Sequence, residues 1–267
     1  MAILTVSRQY GSGGREIGRK AAGLMGYEFI DKERLLSDIR LRGAKWEEWG
    51  KDMDEHCPTL WERFDWSFRG FASLIESHIL KHALKDRVVI MGRGGNFLLK
   101  DFPHVLRIKV IAPAELRIET VMAKGSVDRE TAKRLVEKID MERACFIRIA
   151  YGGRWDDPKY YDMVFDTSVK TVDEILSTIR EALLEKDKLA TPEARKALGM
   201  TALAAEIKAM IATNPAFFVP TLEVSWDGAE VVLKGVIHNP EERRRIEEEA
   251  RRRAGDAPLR CELHYRV

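Results

Sequence analysis

The chain has 267 residues, 45% of them hydrophobic and 33% charged, with a formal net charge of +2. That length suits one ordinary domain plus a smaller one, and the composition excludes a disordered or fibrous chain. So small a net charge implies neither nucleic acid nor a membrane surface as partner. Cys57, Cys145 and Cys261 are far apart and odd in number, which predicts neither a disulfide framework nor a zinc site. The N-terminal run MAILTVSRQYG reads as a strand rather than a signal peptide. No apolar stretch approaches the roughly 20 residues that span a bilayer. A reducing cytoplasm and no integral membrane association are expected.

Ala2 to Val6 is a β-rich apolar run that ends at a glycine-rich turn; Ile17, Ala21, Ala22 and Leu24 then recur at helical spacing up to Gly26. Tyr27 to Ile30 reads as a second short strand and Lys32 to Arg42 as a helix. Gly43 to Phe71 carries Trp46, Trp49, Trp61 and Trp66 and predicts helical pieces broken at Pro58. Phe71 to Leu84 continues as an amphipathic helix into a buried strand, Val88 to Met91, and a second glycine cluster, Gly92 to Gly95. A strand at His104 to Ile111 precedes helices at Pro113 to Lys124 and Asp128 to Ala150. Met163 to Asp166 is a last short strand, followed by the helix Val172 to Lys186.

This alternation favours a mainly parallel sheet covered on both faces, an α/β class. The polar segment around Pro192 is the best linker. Beyond it the order is helix (Thr201 to Ala212), strand (Thr221 to Ser225), strand (Glu230 to Val236), helix (Pro240 to Ala254) and strand (Leu259 to Tyr265), a small αββαβ unit of α+β type. The predicted division is residues 1–188, a linker at 189–199, and 200–267.

The turn GSGGREIG, Gly11 to Gly18, is the strongest chemical signal. Small residues between a strand and a helix let backbone N–H groups converge on phosphate oxygens at the positive end of the helix dipole. Gly11, Ser12, Gly13 and Gly14 supply that turn. The P-loop pattern places Lys and then Ser or Thr after its last glycine. Here Gly14 falls where the lysine belongs, Arg15 follows, and Arg8 replaces the first glycine. Arg15 and Arg19 are unfavourable near a positive helix end unless an anion sits there, so Arg15 reads as the replacement for the lysine. Glu16 is placed to hold Mg²⁺ through water, although an N-terminal Glu is equally expected for helix stability alone.

These residues resemble a known family. TVSRQYGSGGREIG followed by GYEFIDKE is similar to the cytidylate kinase-like family of P-loop proteins. VVIMGRGGNFLL, around Gly92 and Arg93, looks like the family's glycine-arginine motif, which helps bind the nucleoside monophosphate. VLRIKVIAPAELRIE is similar to its next strand and helix, Asp140 and Arg143 match a DxxR spacing in its lid region, and YDMVFDTS is similar to its last strand. The resemblance implies a three-layer P-loop kinase fold, ATP as donor, Mg²⁺ as cofactor, and CMP or dCMP as the first acceptor to test. The family's P-loop lysine is absent here, and its inserted CMP-binding domain has no clear match in the Trp-rich segment.

Phosphoryl transfer needs mainly cationic clamping of the moving group, and candidate arginines are plentiful. Arg15, Arg143 and Arg148 are the catalytic candidates; Arg93, Arg143, Asp140 and Asp31 are candidates for the acceptor, with Arg117 and Arg154 lesser ones. Asp140 and Arg143 share a helix face. Asp31 is read as a helix cap or an acceptor contact, with capping slightly favoured. His56, His78, His82 and His104 show no ligand spacing and are read as structural.

Residues 200–267, with Gly228 and Gly235 at turn and strand, resemble the BON domain, a small module associated with phospholipid or ligand binding. Glu247, Glu248 and Glu249 precede Arg251, Arg252 and Arg253 by four residues, so local ion pairing is the simpler reading of this charged run. The unit is expected to serve regulation, oligomerisation or small-ligand sensing. The expected function is an ATP-dependent nucleotide kinase; the alternative is a catalytically weakened, nucleotide-binding regulatory protein. Nucleotides are the expected partners, and nucleic acid is not.

Overall fold

The computed structural model describes residues 1–41, 43, 46, 57–59, 61, 62 and 65–265. A five-stranded sheet forms from β1 (Ile3–Arg8), β2 (Glu28–Ile30), β3 (Val88–Met91), β4 (Val105–Ile111) and β5 (Met163–Asp166), in the order β2-β3-β1-β4-β5. Every neighbouring pair is parallel. Strands buried on both faces read as continuous apolar runs, as VVIM in β3 does.

Alternate residues of each strand feed two cores. Ile3, Ile30, Ile90 and Val105 face α2 (Lys32–Arg40) and α3 (Trp66–Ala83). Leu4, Val6, Val89, Ile108 and Val110 face α1 (Gly14–Met25) and α7 (Val172–Asp187). The result is a three-layer P-loop kinase-like fold. Around it lie α4 (Gly95–Leu98), α5 (Ala114–Gly125) and α6 (Arg129–Tyr151). The central strands therefore stand where the alternation predicts them, whereas most of the helical pieces expected between Gly43 and Trp66, with Trp49 and His56, lie outside the described residues.

The polar segment around Pro192 is helical. Thr191 caps α8 (Pro192–Thr213) by accepting from the Ala194 N–H at 3.2 Å, and Pro192 occupies the first turn, where a missing N–H costs nothing. Proline starts this helix rather than breaking the chain. Leu198, Ala202, Ala205 and Ala209 of α8 complete the core against α3. Its other face supplies Ala204, Ile207 and Ile211 to the C-terminal module. There β6 (Glu223–Trp226) pairs antiparallel with β7 (Val231–Ile237), which pairs parallel with β8 (Leu259–Tyr265), and α9 (Pro240–Ala254) closes the small mixed sheet through Ile246 and Ala250. The αββαβ order matches the expectation.

The acidic and basic residues of α9 neutralise one another with some exchange of partners. Arg251 meets Glu247 at 3.0 Å, but Arg252 pairs with Glu249 and Arg253 reaches Glu206 on α8.

One expectation needs correction. Cys57 and Cys145 are joined by a disulfide across 88 residues of sequence, with Cα atoms 5.1 Å apart. Distance along the chain hid a pairing that the fold creates. Cys261 is a free thiol on β8. Among the described residues no helix is long and apolar enough to cross a membrane.

Candidate phosphate-binding site

The turn after β1 has the backbone its glycines allow. Gly11 has φ 81°, and a Cβ there would lie 2.7 Å from the Arg117 carbonyl oxygen. A Cβ on Gly14, the first residue of α1, would lie 2.5 Å from Arg8 Cβ. No other residue type fits either place, because the loop must close tightly enough to aim its N–H groups along the α1 axis. Ser12 is buried and turned inward, donating to the Gln9 carbonyl at 2.8 Å. Gln9 in turn accepts from the Ala112 N–H at 3.1 Å, fastening the turn to the end of β4.

This turn forms one wall of a cavity of about 430 Å³. Arg8, Arg15, Lys32, Arg93, Lys124 and Arg143 bring cationic side chains to its lining, against Glu16, Asp31 and Glu33. Several cations beside a helix N-terminus make a site for a polyanion. Arg93 follows β3 with φ 56° and is 8% exposed. A left-handed backbone at a non-glycine residue costs on the order of 1 kcal/mol and persists where the surroundings enforce it. Here Tyr151, the last residue of α6, donates its hydroxyl to the Arg93 carbonyl at 3.0 Å.

The helix α6 is braced to the turn. Arg143, also 8% exposed, donates to the Arg8 carbonyl at 3.1 Å. Asp140 accepts from the Tyr10 N–H at 2.8 Å and from Arg117 at 2.5 Å. Arg15 donates to Asp31 at 2.8 Å and to Glu33 at 2.9 Å, and the hydrogen bond to Asp31 chiefly raises its pKa. Burial pushes the Asp31 carboxyl up, but hydrogen bonds from Arg15 and the Arg34 N–H outweigh it and hold Asp31 below the usual carboxylate range. Asp31 is also the N-cap of α2. Glu16 lies 3.2 Å from Lys20.

Below the arginines lies a buried polar cluster. Trp155 Nε1 donates to Ser7 Oγ at 2.9 Å, Lys109 Nζ donates to the Trp155 carbonyl at 2.8 Å, and the Tyr161 hydroxyl donates to the same carbonyl at 2.7 Å. Burial pushes the Tyr161 hydroxyl up to about 12, so it stays a donor at neutral pH, and burial lowers the Lys109 ammonium. The cluster pins the segment after α6 to β1 and β4.

A cytidylate kinase-like family profile matches residues 3–169, and a BON-domain profile matches residues 200–266. The chain belongs to the cytidylate kinase-like family. It is 25% identical over 196 residues to a cytidylate kinase of Methanopyrus kandleri, covering 69% of this chain and 96% of that protein. A cytidylate kinase of Pyrococcus furiosus is 24% identical over 195 residues, covering 73% and 94%. A solved structure of an uncharacterised Eubacterium ventriosum protein has a TM-score of 0.55 at 22% identity, covering 68% of this chain and 98% of that one, a likeness of fold.

In this family member the structure brings Gly11, Gly13, Gly14, Arg15, Glu16, Asp31, Arg93 and Arg143 around one cavity. Asp140 is engaged with Tyr10 and Arg117 behind the cavity wall. Arg148 is placed elsewhere: it lines a second cavity. Five residues after Arg143 at about 100° per residue, it points roughly 140° around α6 from it. Arg154 is exposed and pairs with Asp156 at 3.0 Å. Lys124, Lys32 and the buried Lys109 escape sequence reading. Lys124 reads there as an ordinary basic residue in the last turn of a helix, and nothing in the sequence announces a buried lysine in β4.

Proposed function

We propose that the chain is an ATP-dependent nucleotide kinase that transfers a phosphoryl group to a nucleoside monophosphate, with CMP or dCMP the first acceptor. The observation that carries this reading is the convergence of Arg8, Arg15, Arg93 and Arg143 on the cavity capped by the glycine turn. In such a transfer an acceptor phosphate oxygen bonds to the γ-phosphorus while the bond to the β–γ bridging oxygen breaks, leaving ADP. Catalysis is positioning plus neutralisation of the charge spread over the transferring oxygens. The turn N–H groups hold the donor phosphates, Arg15 takes the place of the lysine, and Arg93 with Arg143 orients the acceptor phosphate. Among the described residues no group of three His, Cys, Asp or Glu side chains is placed to hold a metal ion. Glu16 at the cavity suits a Mg²⁺ that keeps most of its waters and arrives on the nucleotide. Bound there, Mg²⁺ would neutralise phosphate charge.

Purified protein incubated with MgATP and each nucleoside monophosphate, with ADP release followed, tests the proposal. Turnover with a pyrimidine monophosphate is expected; no turnover with any acceptor sinks it. One observation favours a second reading, a nucleotide-binding regulatory protein of weakened catalysis: the arginine beside the vacant lysine position is held by Asp31 and Glu33. Calorimetry that detects ATP binding without phosphoryl transfer supports this second reading. No nucleotide binding at all removes both.

A further inference from the structure

A second cavity of about 790 Å³ opens between the kinase-like core and the C-terminal module. Its walls come from α3, the end of α6, α8, and the segment leading into β6. Trp66, Phe68, Ile149, Ile211 and Phe218 give it an apolar lining, and Phe218 is 56% exposed. A volume of this size falls in the usual range for organic ligands, roughly 300–1,000 Å³.

Among the described residues its charges are incompletely matched. Lys208 is neutralised by Glu76 at 2.9 Å. Arg69 is half-buried and donates to the Pro220 carbonyl, which supplies a dipole but no counter-charge. Burial pushes its pKa down. Arg148 is exposed at the cavity and pairs with no carboxylate among the described residues. Glu223 stands on the rim. Half-buried Arg69 and exposed Arg148 set two guanidinium groups beside an aromatic and aliphatic wall, an arrangement suited to an anion that carries an apolar body.

We infer that this inter-domain groove is a binding site for a small amphipathic anion, a phosphate or carboxylate on an aromatic or alkyl body, with Arg148 and Arg69 holding the charge and Trp66, Phe68 and Phe218 the body. It is separate from the phosphate cavity and does not rest on the kinase reading. The helix α6 joins the two: Arg143 serves one cavity and Arg148 the other.

The test is calorimetric titration of the full chain with 1-naphthyl phosphate as the probe. Saturable binding is expected, with 1-naphthol and inorganic phosphate each at least about tenfold weaker, because each lacks one half of the interaction. Arg148→Gln should weaken the probe at least about tenfold and Arg148→Lys by less. Arg148 is exposed, so these variants keep the fold, which circular dichroism verifies. Absence of saturable binding, or equal affinity in Arg148→Gln, overturns the inference.

Discussion

In the proposed phosphoryl transfer, Arg15 is the side chain on which most depends. It stands one residue past the place where a P-loop lysine belongs, and in the structure it rests on Asp31 and Glu33. To reach a phosphate it must exchange those carboxylates for phosphate oxygens, a trade between charge-assisted partners of similar kind. Arg15→Ala is expected to lower kcat/KM for ATP by about 10²–10³-fold, the range for removing one donor aimed at developing charge. Steady-state kinetics read this, and unchanged values would mean that another cation has replaced the lysine.

Asp31 gives a pH prediction from the same pair. Its folded pKa lies below its unfolded one, so the stability it contributes is present above the ordinary carboxylate range, near pH 4, and is lost as pH falls through the folded value. Asn retains the capping oxygen but not the charge. The stability gap between the native protein and Asp31→Asn, measured by urea unfolding, should therefore stay constant from pH 7 to about pH 5 and shrink as pH falls below about 4. A gap independent of pH would mean that the Arg15–Asp31 pairing contributes nothing.

At the scale of elements, α8 is the unusual one, because a single helix serves two cores. Leu198, Ala202, Ala205 and Ala209 press on α3 while Ala204, Ile207 and Ile211 fill the C-terminal module. The small alanines on the α3 side permit close approach. Ala205→Leu should overpack that contact and cost about 1–3 kcal/mol. Because the helix is shared, thermal unfolding followed by circular dichroism should shift as one transition; a shift confined to one of two transitions would show that the cores melt independently. Sequence periodicity finds the second half of this helix easily and misreads its first half as a linker, since Pro192, Glu193 and Arg195 look like connecting residues until the Thr191 cap is seen. The short helix Gly95–Leu98 is likewise hidden, being a single turn of a glycine-rich loop with too few residues to show a period.

Across the whole molecule, the Cys57–Cys145 disulfide ties the segment between α2 and α3 to α6, the helix that braces the phosphate turn. Closing a loop of that length in the unfolded chain contributes roughly 4–5 kcal/mol by the chain-entropy account. Excess dithiothreitol should lower the melting temperature by several degrees, and Cys145→Ser should remove that sensitivity; identical melting with and without reductant would show that the bond adds no stability. A chain cut after Ala190 should fare worse, since it uncovers the face of α3 that α8 buries. It is expected to aggregate or to melt far below the full chain.

The sequence by itself determined the alternating strand and helix order, the parallel sheet, the glycine-rich turn after β1 and the αββαβ module, because each rests on local periodicity and on glycines whose backbone roles are visible within a few residues. It also nominated Arg15, Arg93 and Arg143, which do line one cavity. Tertiary structure alone decided that Arg148 faces the inter-domain groove, that Asp140 is consumed in bracing Tyr10 and Arg117, that Lys109 is buried under Trp155, and that Cys57 meets Cys145. Those facts depend on which faces of distant helices meet, and on where half a turn of α6 aims a side chain. Pairings of that kind are settled by packing across tens of residues, beyond the reach of any local pattern.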